Sequence, residues 1–189
     1  TTLYVYNRLL SLNEVGGRPG HFGCSLEEFH NFNTKKRDLW PDSLNATSTH
    51  DTKRGEDARA RINVLSEMPD EWRKNLRTWI KINQRKKKRL NSLAVPDRND
   101  EYFLYQTLIG AWPFSDADYP DFVQRIKAYI VKAVREAKVH TAWLKPDTEY
   151  ENAYVSFAEK ILARSQANAF LKEFIPFCRR VSHYGMLNS

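Results

Sequence analysis

The sequence predicts a mainly α-helical fold: a multi-helix, orthogonal or bundle-like domain with at most one or two short strands. Three observations carry this. Apolar residues recur at helical spacing over most of the chain, as in Phe122, Ile126, Tyr129, Ile130, Ala133 and Ala137. Helix-start signals stand ahead of several such stripes, at Ser25 with Glu28, at Pro69-Asp70-Glu71 and at Thr148 with Glu151. Strand-like patterning is confined to one stretch, residues 44–49. The chain has 189 residues, 41% of them hydrophobic and 13% aromatic, which is enough apolar mass for a packed core and excludes a wholly disordered chain. Its apolar runs, such as Ala128-Tyr129-Ile130-Val131, are far below the ~20 residues a membrane span needs.

Taken in order, residues 3–12 are apolar-rich and read as the end of a helix, followed by a loop at Gly16-Gly17-Arg18-Pro19-Gly20. The Ser25-Leu26-Glu27-Glu28 capping box opens a helix to about Lys36, with Leu26, Phe29 and Phe32 on one side and Trp40-Pro41 as its end. A helix over residues 55–66 follows the strand-like stretch, with Asp57 and Arg61 placed for a surface ion pair. Pro69 starts the next helix, whose buried side is Trp72, Leu76, Trp79, Ile80 and Asn83 and whose tail is the basic run Arg85-Lys86-Lys87-Lys88-Arg89. Asn99 or Asp100 caps a helix that ends at Trp112-Pro113. Pro120 opens a longer one, and a capping box of Thr148 and Glu151 starts another. A last short helix holds Phe170, Leu171 and Phe174 and stops at Pro176. The expectation is about six or seven helices.

The formal charge of +7 is unevenly placed. Residues 70–100 hold ten bases and four acids, so +6 of it lies there and the remainder is nearly neutral. Clustered cations favour phosphate, so a basic helical nucleic-acid-binding module using Arg85 to Arg89 is one functional alternative. No aromatics interleave the run and no recognition motif accompanies it, so it reads as a solvated helix end and nucleic acid is set aside as a partner. No two of His21, His30, His50, His140 and His183 stand three or four positions apart, so no helical histidine pair offers a metal site and no metal and no cofactor is expected. Cys24 and Cys178 read as unpaired reduced thiols of a cytoplasmic protein. The N-terminus carries no secretory signal. Without an initiator Met or a C-terminal helix stop, the chain reads as a piece of something longer.

The unusual stretch is Ala46-Thr47-Ser48-Thr49-His50-Asp51-Thr52-Lys53-Arg54-Gly55-Glu56-Asp57. Ionisable residues directly after a short strand are what a barrel enzyme presents at its catalytic face. His50 and Asp51 together could bind sugar hydroxyls as donor and acceptor. By pattern alone the stretch also reads as a capped helix start, with Asp51 or Thr52 as N-cap and Arg54 with Asp57 as a surface pair.

Within it, the run from Ala46 to Arg54 is similar to a segment of the maltooligosyl trehalose synthases. So are Asn7-Arg8-Leu9-Leu10-Ser11-Leu12-Asn13-Glu14-Val15-Gly16-Gly17, Arg59-Ala60-Arg61-Ile62-Asn63-Val64-Leu65-Ser66-Glu67, Asn99-Asp100-Glu101-Tyr102, Arg135-Glu136-Ala137-Lys138-Val139-His140-Thr141 and the run from Arg179 to Ser189. The resemblance spans essentially the whole chain. It implies an α-amylase-like, retaining enzyme of glycoside hydrolase family 13 on a (β/α)8 barrel, acting as an isomerase in trehalose biosynthesis. Its reaction moves the reducing-end α-1,4 bond of a maltooligosaccharide to an α,α-1,1 bond through a covalent glycosyl-enzyme. The resemblance makes Asp51 the third catalytic carboxylate, stabilising the transition state. It makes His50 and Lys53 substrate-binding, with Lys53 on the acceptor glucose, and adds Arg54 to that set.

Many α-amylase relatives carry Asn-His-Asp where this chain has Thr49-His50-Asp51. No segment matches the nucleophile or the general acid, which the family places earlier. The chain is therefore expected to be the helical excursion of the barrel, inactive alone. Residues 1–54 would be a barrel-derived segment, 55–180 a helical subdomain and 181–189 the start of a returning barrel helix. Its expected partners are the maltooligosaccharide, the remainder of the barrel and, for the isolated piece, other copies of itself. A blander option makes residues 56–180 a lid that shields the cleft without touching sugar.

Overall fold

The computed structural model describes residues 2–189. Its element order is α1 (Thr2–Val5), α2 (Leu26–Leu39), α3 (Glu56–Glu67), α4 (Pro69–Asn83), the hairpin β1 (Lys88–Leu90) and β2 (Leu93–Val95), α5 (Arg98–Ala111), α6 (Tyr119–Ala137), α7 (Thr148–Leu162) and α8 (Ala169–Asn188). The fold is mainly α, as the sequence predicts. α3 lies between α5 and α8, α4 packs on α8, and α6 packs on α7.

The core is aromatic. Trp79 of α4 is fully buried. Tyr105 of α5 lies 5.5 Å from it, and Phe170, Phe174 and Phe177 of α8 lie 5.8, 5.1 and 5.6 Å away, centroid to centroid. Each such pair adds about 0.5–1.5 kcal/mol to simple burial, so this cluster is what fastens α4, α5 and α8 together.

Two glycines let α3 sink between its neighbours. A Cβ on Gly185 of α8 would stand 2.8 Å from the Cα of Arg61, and one on Gly110 of α5 would stand 3.0 Å from Ile62 Cδ1. Arg61 is itself buried. It does not pair with Asp57 as expected. Its guanidinium donates to the Trp112 carbonyl at 2.8 Å and lies 4.3 Å over the Phe114 ring. The close α3–α8 approach draws it into the body, where a backbone carbonyl and a ring face replace the surface carboxylate.

Several expectations shift. Residues 44–49 form no strand; they are irregular and mostly exposed. A strand needs a partner for its ladder, and none lies beside this stretch among the described residues. α8 does not stop at Pro176 but runs through it to Asn188. Pro176 sits on the exposed side, where water can satisfy the carbonyl its missing N–H leaves free, while Phe174, Phe177, Cys178 and Val181 hold the buried side. Residues 181–188 are thus the last turns of that same helix.

The first helix is a single turn, and residues 10–12 make a separate 3-10 turn. α2 starts with its capping box, yet none of its residues is buried. Leu26 and Phe32 are 79% and 65% exposed, so its apolar stripe faces away from this core. Ile80 is likewise exposed, whereas Trp72, Trp79 and Asn83 are buried as expected. α5 is capped by Asp97, which accepts from Asp100 N at 2.8 Å, and α7 by Asp147, which accepts from Tyr150 N at 2.9 Å. Glu151 cannot complete a capping box, because Arg135 and Thr141 hold its carboxylate at 2.7–2.8 Å.

The basic run is not a helix tail. It passes through a 3-10 turn into β1, which pairs antiparallel with β2 around Asn91 and Ser92. Asn91 has φ of 54°, the left-handed conformation that a short hairpin loop requires and that Asn tolerates. Lys87 is buried against Glu101 at 2.7 Å, their side chains 6% and 2% exposed. Lys86 donates to Asn168, Lys88 to Glu149 and Arg89 to the Ser92 carbonyl. Lys86, Lys87 and Lys88 thereby hold the hairpin and the turn before it to the turn ahead of α8, to α5 and to α7. No helix among the described residues is long and apolar enough to cross a membrane.

Candidate active-site turn

Residues 49–52 make a tight turn just ahead of α3. Thr52 donates through its N–H and its hydroxyl to the Thr49 carbonyl, at 3.2 and 2.7 Å, and Thr49 Oγ1 accepts from Asp51 N at 3.3 Å. Threonines on both sides of His50-Asp51 thereby satisfy the backbone locally, which is what such hydroxyls do outside helices. His50 and Asp51 stand at the tip. Their side chains are 90% and 69% exposed, with His50 Nε2 3.5 Å from Asp51 Oδ2.

The turn is anchored on both sides. Upstream, Ser48 exchanges hydrogen bonds with Glu56 at the start of α3, accepting from its N–H at 3.0 Å and donating to its carboxylate. That contact holds the Glu56 carboxyl below the usual range. Arg59 donates to the Thr47 carbonyl. Downstream, the Glu14 carboxylate accepts from Lys53 N at 2.7 Å and from Arg54 N at 2.8 Å. The N-cap of α3 is Gly55, which offers no side-chain bond, so neither Asp51 nor Thr52 serves as the cap.

The four expected site residues therefore divide. His50, Asp51 and Lys53 are exposed at or beside the turn. Arg54 points inward. Its guanidinium donates to the Leu10 carbonyl at 3.3 Å and to the Tyr129 hydroxyl at 3.2 Å, and lies 5.8 Å over the Phe103 ring. It makes no surface pair with Asp57. Burial pushes the Tyr129 hydroxyl up, despite the opposing charge of Arg54. Beside these residues lies a largely apolar cavity of about 220 Å³, walled by Ala58, Ile62, Gly110, Phe122 and Tyr129 with Lys53 and Arg54 at its edge. His50 and Asp51 do not line it.

A second polar cluster escapes any search by local spacing. Asp97, Asp100 and His140 bring their ligand-capable atoms within 4.8 Å of one another. His140 Nε2 is 2.7 Å from Asp97 Oδ2, its ring stacks on Tyr150 at 4.4 Å, and the Tyr150 hydroxyl donates to Asp100 Oδ2. Burial pushes the Asp100 carboxyl up to about 6, against the Tyr150 hydrogen bond that opposes the rise. These contacts tie the start of α5 to α7 and to the connection before it, and they engage the groups a cation would need.

No family model matches the chain. A curated Mycobacterium tuberculosis protein assigned as a maltooligosyl trehalose synthase is 40% identical over 155 residues, covering 82% of this chain and 19% of the relative. Among solved structures, a Sulfolobus tokodaii maltooligosyl trehalose synthase superposes with a TM-score of 0.83 at 41% identity, over 98% of this chain and 24% of that one. The Arthrobacter ramosus maltooligosyltrehalose synthase does so with 0.82 at 30% identity, over 100% and 22%. All three likenesses point to one class, the carbohydrate-active enzymes of trehalose synthesis. The chain belongs to the maltooligosyl trehalose synthase family, and it spans 19% of the length of the curated relative.

Proposed function

We propose that this chain is the part of a maltooligosyl trehalose synthase that supplies Asp51 to the active site. The observation that carries the reading is the turn itself. A His-Asp pair is held at both flanks by backbone hydrogen bonds, while its functional groups face outward, toward whatever the rest of the enzyme brings. The reaction is an intramolecular transglucosylation by an isomerase of glycoside hydrolase family 13. A nucleophile and a general acid about 5 Å apart open the reducing-end α-1,4 bond and close it as α,α-1,1 with retention. The remainder of the parent barrel supplies that pair.

Asp51 accepts hydrogen bonds from hydroxyls of the distorted sugar and stabilises the positive charge that develops at the anomeric carbon. His50 donates to the same ring and Lys53 to the acceptor glucose, while Arg54 contributes by holding the turn to the helical body. The substrate is a maltooligosaccharide. The two cysteines, free and set apart with Cys24 exposed, support a cytoplasmic setting.

In the full-length enzyme Asp51→Asn should lower turnover by about 10²–10³-fold, the scale for losing a group that stabilises transition-state charge, with folding intact by circular dichroism. Near-wild-type turnover would remove Asp51 from the catalytic set. The 189-residue chain alone should release no trehalose-ended product from maltopentaose.

A further inference from the structure

We propose that Glu14 is a positioning residue for Asp51: its carboxylate fixes the downstream side of the catalytic turn. The inference rests on the reading of Asp51 given above. The run Asn13-Glu14-Val15-Gly16-Gly17 has no assigned role in the chemistry. Both Glu14 oxygens are nonetheless committed. Oε2 accepts from Lys53 N at 2.7 Å and Oε1 from Arg54 N at 2.8 Å. Two successive peptide N–H groups on one carboxylate fix both the place and the orientation of that backbone, and charge makes each bond stronger than a neutral one. The donors lie two and three residues beyond Asp51, so the clamp sets where the turn ends.

A clamp is only as stiff as its own mount, and Glu14 is mounted on the core. Gly17 N donates to the Glu14 carbonyl at 2.9 Å, closing a turn in which Gly16 has φ of +78°. A Cβ at Gly17 would stand 2.9 Å from that same carbonyl oxygen, so only glycine fits. Asn13 is buried, and its side chain donates to the carbonyls of Leu3 and Tyr6 at 3.1 and 2.7 Å. The fully buried Gln106 of α5 accepts from Leu10 N and donates to the Asn7 carbonyl, both at 2.9 Å. Arg54 returns to this platform through the Leu10 carbonyl. The position of Asp51 is thereby referenced to α5, and not only to the helix that follows it.

The test uses the full-length enzyme with Glu14→Gln and Glu14→Ala. Gln keeps the shape but turns an N–H₂ toward one of the two donors, so it loses half the clamp and leaves that donor facing another. We expect kcat to fall about 10–100-fold with Glu14→Gln, the scale for a catalytic group displaced by about 1 Å. The loss with Glu14→Ala should be at least as large. KM for maltopentaose should stay within about threefold and the melting temperature of Glu14→Gln close to wild type, as expected of a group that acts through the backbone of the turn and not on the sugar. Unchanged kcat in Glu14→Gln overturns the proposal. So does a loss of kcat that tracks melting temperature across the two variants, since that is general loosening of the fold. Asp51→Asn measured in parallel separates the two readings: if it turns over normally, the role of Asp51 itself fails, whatever the Glu14 variants do.

Discussion

Asp100 and Glu101 are adjacent buried acids with different partners. Glu101 faces the Lys87 ammonium at 2.7 Å and the Tyr105 hydroxyl at 2.8 Å. Asp100 faces the Tyr150 hydroxyl, with Asp97 and His140 beside it. Burial holds its carboxyl near 6, above the ~3.9 of an unfolded Asp. The folded state thus binds this proton more tightly than the unfolded chain. Its stabilising contribution is complete below about pH 4 and is lost as pH rises through about 6, by up to about 3 kcal/mol. Asp100→Asn keeps an acceptor for Tyr150 and has no proton to lose. Urea unfolding from pH 4 to 7 should show wild type losing stability relative to Asp100→Asn as pH climbs; parallel curves would reject the buried-proton account.

Among the elements, α3 carries the most consequence for the site. It begins five residues beyond Asp51, and it is wedged between Gly110 and Gly185. Gly185→Ala would push a methyl group against the Arg61 backbone, which cannot rotate away. It should destabilise the chain by about 1–3 kcal/mol, as overpacking does. At Gly20 an added methyl meets nothing within 4 Å, so Gly20→Ala serves as the control. Thermal melts of equal depth for both would contradict the wedge.

Helices such as α6 were legible because their stripes and their buried faces coincide. The continuation of α8 was not, because Pro176 is a stop only where the surroundings do not overrule it. The hairpin was hidden inside a run of cations, although Asn91-Ser92 is a loop signal. At the site, the turn could be singled out from the His-Asp pair, but the role of Asp51 came from resemblance and not from pattern. Glu14 could not be read at all, since 39 residues separate it from the Lys53 N–H it holds.

At the scale of the whole molecule, α2 stands apart from the rest. Its 14 residues bury nothing, and its stripe continues to exposed Leu39 and Trp40. An apolar face of this kind is covered in a larger protein or covers itself by association. The isolated chain should therefore sediment with a concentration-dependent mass, and Phe29→Ser with Phe32→Ser should return it toward monomer. A wild-type chain that stays monomeric at high concentration would argue that α2 folds back in solution.

The Glu14 clamp has a topological meaning as well. It brings the two ends of residues 15–52 to a single carboxylate, so that whole interval, α2 included, is a closed loop with its root at the candidate site. Closing a flexible loop costs entropy that grows only with the logarithm of its length, and doubling the length adds about 0.6 kcal/mol. The excursion can therefore lengthen, shorten or change sequence at small thermodynamic cost. The root cannot, because it is one carboxylate wide.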